Sequence, residues 1–120
     1  MGKAYVIAHP KVINMDKFKT DYASKVDATI AAFGGKFLVR TPDKLATEGE
    51  QGTLTVVIEF ESKEKAMGWY NSDAHQQIVG HRRSNTDEQS TFVIAEESST
   101  MKKNNRRINN VKNRTVEGRE

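Results

Sequence analysis

At 120 residues the chain has room for one domain, and with no cysteine it has neither disulfides nor thiolate metal sites nor thiol nucleophiles. Its formal net charge is +3, but that charge is unevenly placed. From Ser98 to Glu120 seven Lys and Arg face only two Glu, so the body ahead of this tail is mildly acidic.

Taken in chain order, Ala4 to His9 (AYVIAH) is a short aromatic and β-branched run closed by Pro10, which predicts a strand. The run is too short for a signal peptide or a membrane span, so a cytoplasmic protein is expected. Asn14 and Asp16 offer capping oxygens to a following helix. Phe18, Tyr22, Val26, Ile30 and Phe33 recur at steps of three or four and share one helical face. Gly34-Gly35 ends that helix, since a left-handed residue closes the last turn. Lys36 to Thr41 (KFLVRT) is a second strand cut by Pro42, and residues 42 to 52 read as a loop. Thr53 to Phe60 (TLTVVIEF) is almost continuously apolar, as a central strand should be. Ser62 caps a helix carrying Ala66, Trp69 and Tyr70, and Asn71-Ser72-Asp73 breaks it. A second helical piece runs from Ala74 to about His81, and Thr91 to Glu96 (TFVIAE) is the last strand. Beyond it no aromatic residue and no period appears. The expected organisation is one domain over residues 1–97 and a disordered basic tail over 98–120.

The order β-α-β-β-α-β with right-handed crossovers predicts a ferredoxin-like α+β fold: a four-stranded antiparallel sheet with its helices on one face. Strict alternation sends Leu54, Val56, Ile58, Phe60 and Phe37 under the helices. It leaves Leu38, Arg40, Val57 and Glu59 on the bare face. An uncovered face carrying apolar residues invites a second sheet, and a homodimer is expected.

Several blocks together resemble one family. They are Tyr5-Val6-Ile7, Tyr22, ATIAAFGGKFLVR from Ala28 to Arg40, Glu48-Gly49, VVIEF from Val56 to Phe60, and AMGWYNS with Trp69-Tyr70; Gln76, Ile78 and Arg82 follow. The chain resembles the family known as domain of unknown function 1330 over roughly residues 3 to 97. That family is similar to the dimeric α/β-barrel superfamily, in which two ferredoxin-like sheets pack face to face. The resemblance implies the fold and a dimer and brings no assigned activity. Related barrels oxidise or rearrange small organic compounds without metal or flavin. His75 stands where the family usually has Tyr, and the basic tail lies outside the pattern.

The sequence holds no phosphate-cradling loop, no G-x-G-x-x-G and no HExxH. His9, His75 and His81 are not at ligand spacing with carboxylates, so no metal and no cofactor is expected. Glu59 lies inside the most apolar strand and needs a partner or a proton. Arg40 on the neighbouring strand is the simplest partner, as an interface ion pair or as part of a site. His9 can act as acid or base near neutral pH. Glu59 and His9 are therefore the candidate catalytic residues. Tyr5, Arg40, Trp69 and Arg82 are the candidate substrate-binding ones, Arg82 because the resemblance singles it out. One ring of the Trp69-Tyr70 pair is expected in the core and the other at a pocket or interface.

The function these readings point to is small-molecule binding by a cofactor-free dimer, with turnover of a small organic compound as its enzymatic form. The site is expected between sheet and helices, near Glu59, Arg40 and His9. The alternative is a non-catalytic structural or binding dimer. Third comes sequence-blind nucleic-acid binding through the tail, which lacks aromatic residues for stacking.

Overall fold

A computed structural model describes residues 2–49 and 52–98. Strands β1 (Ala4–His9), β2 (Lys36–Thr41), β3 (Thr55–Phe60) and β4 (Thr91–Glu96) form one sheet in the order β2-β3-β1-β4. Every neighbouring pair is antiparallel. Strands β1 and β3 take the centre. The arrangement is the ferredoxin-like one that the element order predicts, and the tail beyond Ser98 lies outside the described residues.

The first helical stretch is built of α1 (Met15–Phe18), a π-helical turn (Lys19–Ala23) and α2 (Ser24–Ala31). Asn14 caps it, its side chain accepting from the Lys17 amide at 3.1 Å. The π turn has a reason in the sequence. In a regular α-helix a step of four residues overshoots one turn by about 40°. The spacing Phe18, Tyr22, Val26, Ile30 would therefore wind its stripe away from the sheet. A π turn underwinds the chain locally, and all four side chains stay buried. Gly34 then adopts φ +77°, and a Cβ on Gly35 would stand 2.6 Å from the Phe60 ring and 2.7 Å from Ile30. The chain can leave the helix and enter β2 this tightly only without a side chain there.

Helices α3 (Lys63–Asn71) and α4 (Asp73–Ser84) share Ser72 as a hinge. Its hydroxyl donates to the Trp69 carbonyl at 2.8 Å and accepts from the His75 amide at 3.2 Å, closing one helix and capping the next. α4 runs to Ser84, a little past the expected end. Strand β3 starts at Thr55 and not at Thr53. The amides of Thr53 and Leu54 bond the Pro10 carbonyl at 2.8 and 3.3 Å, and the Thr53 hydroxyl accepts from the Val12 amide at 3.0 Å. Those groups anchor the loop and do not extend the ladder.

The core joins Val6, Ile58 and Phe60 of the sheet to Val26 and Ile30 of α2 and to Ala66 and Trp69 of α3. One irregularity changes which residues meet. On β2, Phe37 pairs with Ile58 but Val39 pairs with Val57, so Leu38 is an extra residue in a β-bulge. A slip of one residue turns every later side chain to the other face. Val39 points to the bare face, and Arg40, opposite Val56, turns under the helices. The expected Arg40–Glu59 pair does not exist.

The bare face carries an unbroken apolar row, Val39–Val57–Ile7–Val93, across all four strands. Val39, Ile7 and Val93 are 38%, 40% and 51% exposed. A charged row, Lys36–Glu59–Tyr5, flanks it on one side; Thr41–Thr55 and His9–Thr91 flank it on the other.

Candidate functional site

Between the covered sheet face and the first helical stretch lies a cavity of about 100 Å³. Its walls are apolar: Phe18, Tyr22 and Val26 from the helix, Val56 and Ile58 from β3, and Trp69 from α3. Two cations reach it, Arg40 and Arg82, and among the described residues no carboxylate lines it.

The two guanidinium groups differ. Arg40 lies 3.7 Å from the centroid of the Phe37 ring and binds Asp27 through two bonds, at 2.7 and 3.2 Å. Its charge is matched. Arg82 rises from the last turn of α4 and stacks 4.3 Å over Phe92, with the Tyr22 ring at 5.9 Å. It forms no ion pair among the described residues, and its Nη1 is buried without an acceptor. Burial pushes the Tyr22 phenol above its ordinary range, with the Arg82 charge pulling the other way. Tyr22 therefore keeps its proton at neutral pH and is a hydrogen-bond donor.

Outside this cavity a groove of about 380 Å³ opens between the end of α4 and the start of β4, lined in part by Arg83, Asp87, Glu88 and Ser90. The two spaces share Ala8, Pro10, Arg82 and Phe92. Arg82 and Phe92 thus stand where the apolar cavity meets the groove lined by charged and polar side chains.

Trp69 is buried, stacks on Phe60 at 5.7 Å, and donates its indole N–H to the Thr29 hydroxyl at 2.9 Å. It serves core and cavity wall together, while Tyr70 is half-buried against Phe92 at 5.7 Å.

Tyr5, Glu59 and His9 are elsewhere. Because Ile58 and Phe60 point to the helices, Glu59 must point to the bare face, and Tyr5 and His9 share that phase on β1. Tyr5 donates its hydroxyl proton to Glu59 at 3.3 Å, and the ammonium groups of Lys3 and Lys36 lie 3.5 and 3.6 Å from the carboxylate. Burial works against the charge on Glu59. Lys3, Lys36 and the Tyr5 hydroxyl outweigh it and hold the carboxyl below its ordinary range. Burial and the Glu59 charge both raise the Tyr5 phenol. His9, opposite Thr91, sits four residues from Tyr5, about 13 Å along the strand. Glu59 and His9 therefore do not meet, and neither lines the cavity. The six candidate residues divide by sheet face, with Arg40, Trp69 and Arg82 on the covered side.

The sequence reading passed over Asp27, Tyr22 as a donor, and His75. His75 is fully buried at 0% exposure, 4.2 Å from the Trp69 ring. Its Nδ1 bonds the Tyr70 carbonyl at 3.0 Å, which requires the proton there and leaves Nε2 bare and without a partner. The signal available was its helical spacing with Val79 and Arg82. Burial lowers its pKa from the ordinary 6.5, the charges of Arg82 and Arg83 act in the same direction, and the Tyr70 bond opposes them. A histidine that resists protonation in the folded state makes the fold lose stability as pH drops below 6.5, down to the depressed folded value. The urea midpoint is therefore expected to fall between pH 7 and pH 5, and His75→Phe should flatten that slope. An unchanged slope in the variant would assign it to other groups. Glu59 does not contribute in this window, because its lowered pKa places its loss at more acidic pH.

No described helix is long and apolar enough to cross a membrane. Among the described residues no three His, Asp or Glu gather as a metal ion would require.

No curated protein matches the sequence. Among solved structures, a protein of unknown function from Rhodopseudomonas palustris superposes with a TM-score of 0.65 at 14% identity, over 82% of this chain and 84% of its own. A protein from Caulobacter crescentus CB15, provisionally assigned as an antibiotic biosynthesis monooxygenase, gives 0.59 at 15% identity over 82% and 92%. An EthD-like protein from Ralstonia eutropha JMP134 gives 0.52 at 14% identity over 83% and 98%. Likeness at these identities speaks for the fold alone. The sequence itself matches the family described as Domain of unknown function (DUF1330) over residues 3–96, and the chain belongs to that family.

Proposed function

We propose that the chain binds a small organic molecule in the cavity beneath the sheet, and that two copies join through the bare sheet face. The observation carrying the first part is the apolar cavity bordered by Arg82, a guanidinium that no described carboxylate neutralises. Apolar walls with a few placed donors are what a ligand site needs. The reading extends to cofactor-free turnover of the bound compound. Its support is the fold shared with the Caulobacter crescentus protein, and such analogy transfers no mechanism. Tyr22 and Arg82 would orient the compound.

A purely structural dimer is the second reading, favoured by the Val39–Val57–Ile7–Val93 row. A body this small hides only about 60–65% of its unfolded surface alone, and a second sheet would extend its core. In either case Glu59 and His9 act at the interface. Within the Glu59 cluster the carboxylate has two ammonium partners, so it can be covered without an unpaired negative charge.

A thermal-shift screen of small organic compounds on the full chain separates the readings. A compound at one hundred times its Kd stabilises the native state by about 2.7 kcal/mol. Ala23→Phe, which places a ring in the cavity wall, should abolish that gain. Equal stabilisation of the variant would put the ligand elsewhere, and a panel without hits would favour the structural dimer.

A further inference from the structure

We infer that the ligand is a small carboxylic acid with an apolar body, its carboxylate held by Arg82 where the cavity meets the outer groove. The inference rests on the cavity reading above and adds the chemical class. Arg82 is partly exposed as a whole, but a charged donor withdrawn from water and left without an acceptor is costly. Arg82 is left with Nη1 buried and unmatched. The other cation lining the cavity is already matched, Arg40 by Asp27. Asp87 and Glu88 line the groove but form no ion pair with Arg82, and Asp87 instead accepts from the Gln89 amide at 2.7 Å.

The polar groups facing the interior are therefore donors with room for an acceptor: the Arg82 Nη1, which has no partner, and the Tyr22 hydroxyl, whose oxygen faces the Arg82 guanidinium while its proton is kept. A carboxylate is an acceptor-only head of matching planarity, which a guanidinium can bind through two parallel bonds. Stacking on Phe92 covers the face of the Arg82 guanidinium and leaves its edge for such bonds. The volume sets the body. An apolar cavity of about 150 Å³ holds benzene, so about 100 Å³ suits a short chain or a ring seated partly at the mouth. A phosphate would bring nearly two charges to one free guanidinium, beside Asp87 and Glu88. The carboxylate fits better.

The test is titration of the full chain, followed by NMR and calorimetry, with pentanoate and benzoate against pentanamide and benzamide, and with inorganic phosphate. The acids should bind at least about tenfold more tightly than their amides, as the loss of a charged hydrogen bond implies, and should move the Arg82 Nε–H resonance. Arg82→Met should erase the preference, and Arg82→Lys should keep part of it. Unliganded Arg82→Met should melt no lower than the wild type, because it removes an unmatched charge; a purely structural arginine would lower it. Equal binding of acid and amide, or a preference that survives Arg82→Met, overturns the acid assignment and leaves the cavity reading standing. Phosphate binding as tightly as benzoate also overturns it. Binding of none of these compounds, acid or amide, defeats both. Should Arg82→Met fail to fold, the wild-type acid–amide ratio and the Arg82 resonance decide alone.

Discussion

Trp69→Ala is expected to lower the unfolding free energy by about 3–5 kcal/mol, the range for a fully buried aromatic side chain. Small domains hold about 5–15 kcal/mol in all, so the variant should be near the edge of folding. The size of the effect follows from position. The Trp69 ring lies between Phe60 at 5.7 Å and His75 at 4.2 Å, and touches Phe92 at 6.5 Å between centroids. It ties sheet, α3 and α4 together and also walls the cavity. Trp69→Phe separates packing from hydrogen bonding: it keeps most of the ring but leaves the Thr29 hydroxyl without its donor, which costs about 1 kcal/mol. Urea unfolding followed by circular dichroism reads both variants. A loss below about 1 kcal/mol for Trp69→Ala would mean that the core closes around the gap.

The other large effect concerns assembly. Val57→Lys places an ammonium group in the middle of the row formed with Val39, Ile7 and Val93. If two copies meet there, each interface would bury two uncompensated charges, and the sedimentation mass should fall from twice the chain mass to once. Arg82→Met, on the covered side of the sheet, should leave the mass unchanged. Val57 already borders solvent in the single chain, so Val57→Lys should cost the isolated fold little. A dimer that survives this change is held by another surface, and a monomeric wild type removes the proposal of assembly altogether.

Much of the fold was legible because local chemistry and global plan agree. The β-branched run of β3, the Asn14 and Ser62 caps and the Gly34-Gly35 exit each point to the element that forms. The placement of Arg40 was not legible. KFLVRT contains no glycine or proline to mark a bulge, and counting by twos through Leu38 sends Arg40 to the wrong face. Its true partner, Asp27, looked like one more solvent-facing acid on a helix, and only the changed phase of β2 brings the two together. Glu59 was correctly read as needing partners. They came from Lys3, just ahead of β1, and from Lys36, directly opposite on β2, where charges on the same face and row meet. His75 escaped because histidine is ordinarily a surface or half-buried residue, and nothing local announced that α3 would close over it.

The bulge sits in β2, which has a neighbour on one side only. Along β1 and β3 successive codons are addressed alternately to two surfaces, one facing the cavity and one facing outward. Base changes can therefore revise the chemistry of the pocket without rewriting the outer surface, and the reverse. Insertions and deletions have no such freedom. An added residue in β1 or β3 would have to be absorbed by two ladders and would transpose both surfaces at once. In β2 only one ladder has to yield. Length variation among descendants of this gene should therefore be found in the outer strands and be purged from the inner pair.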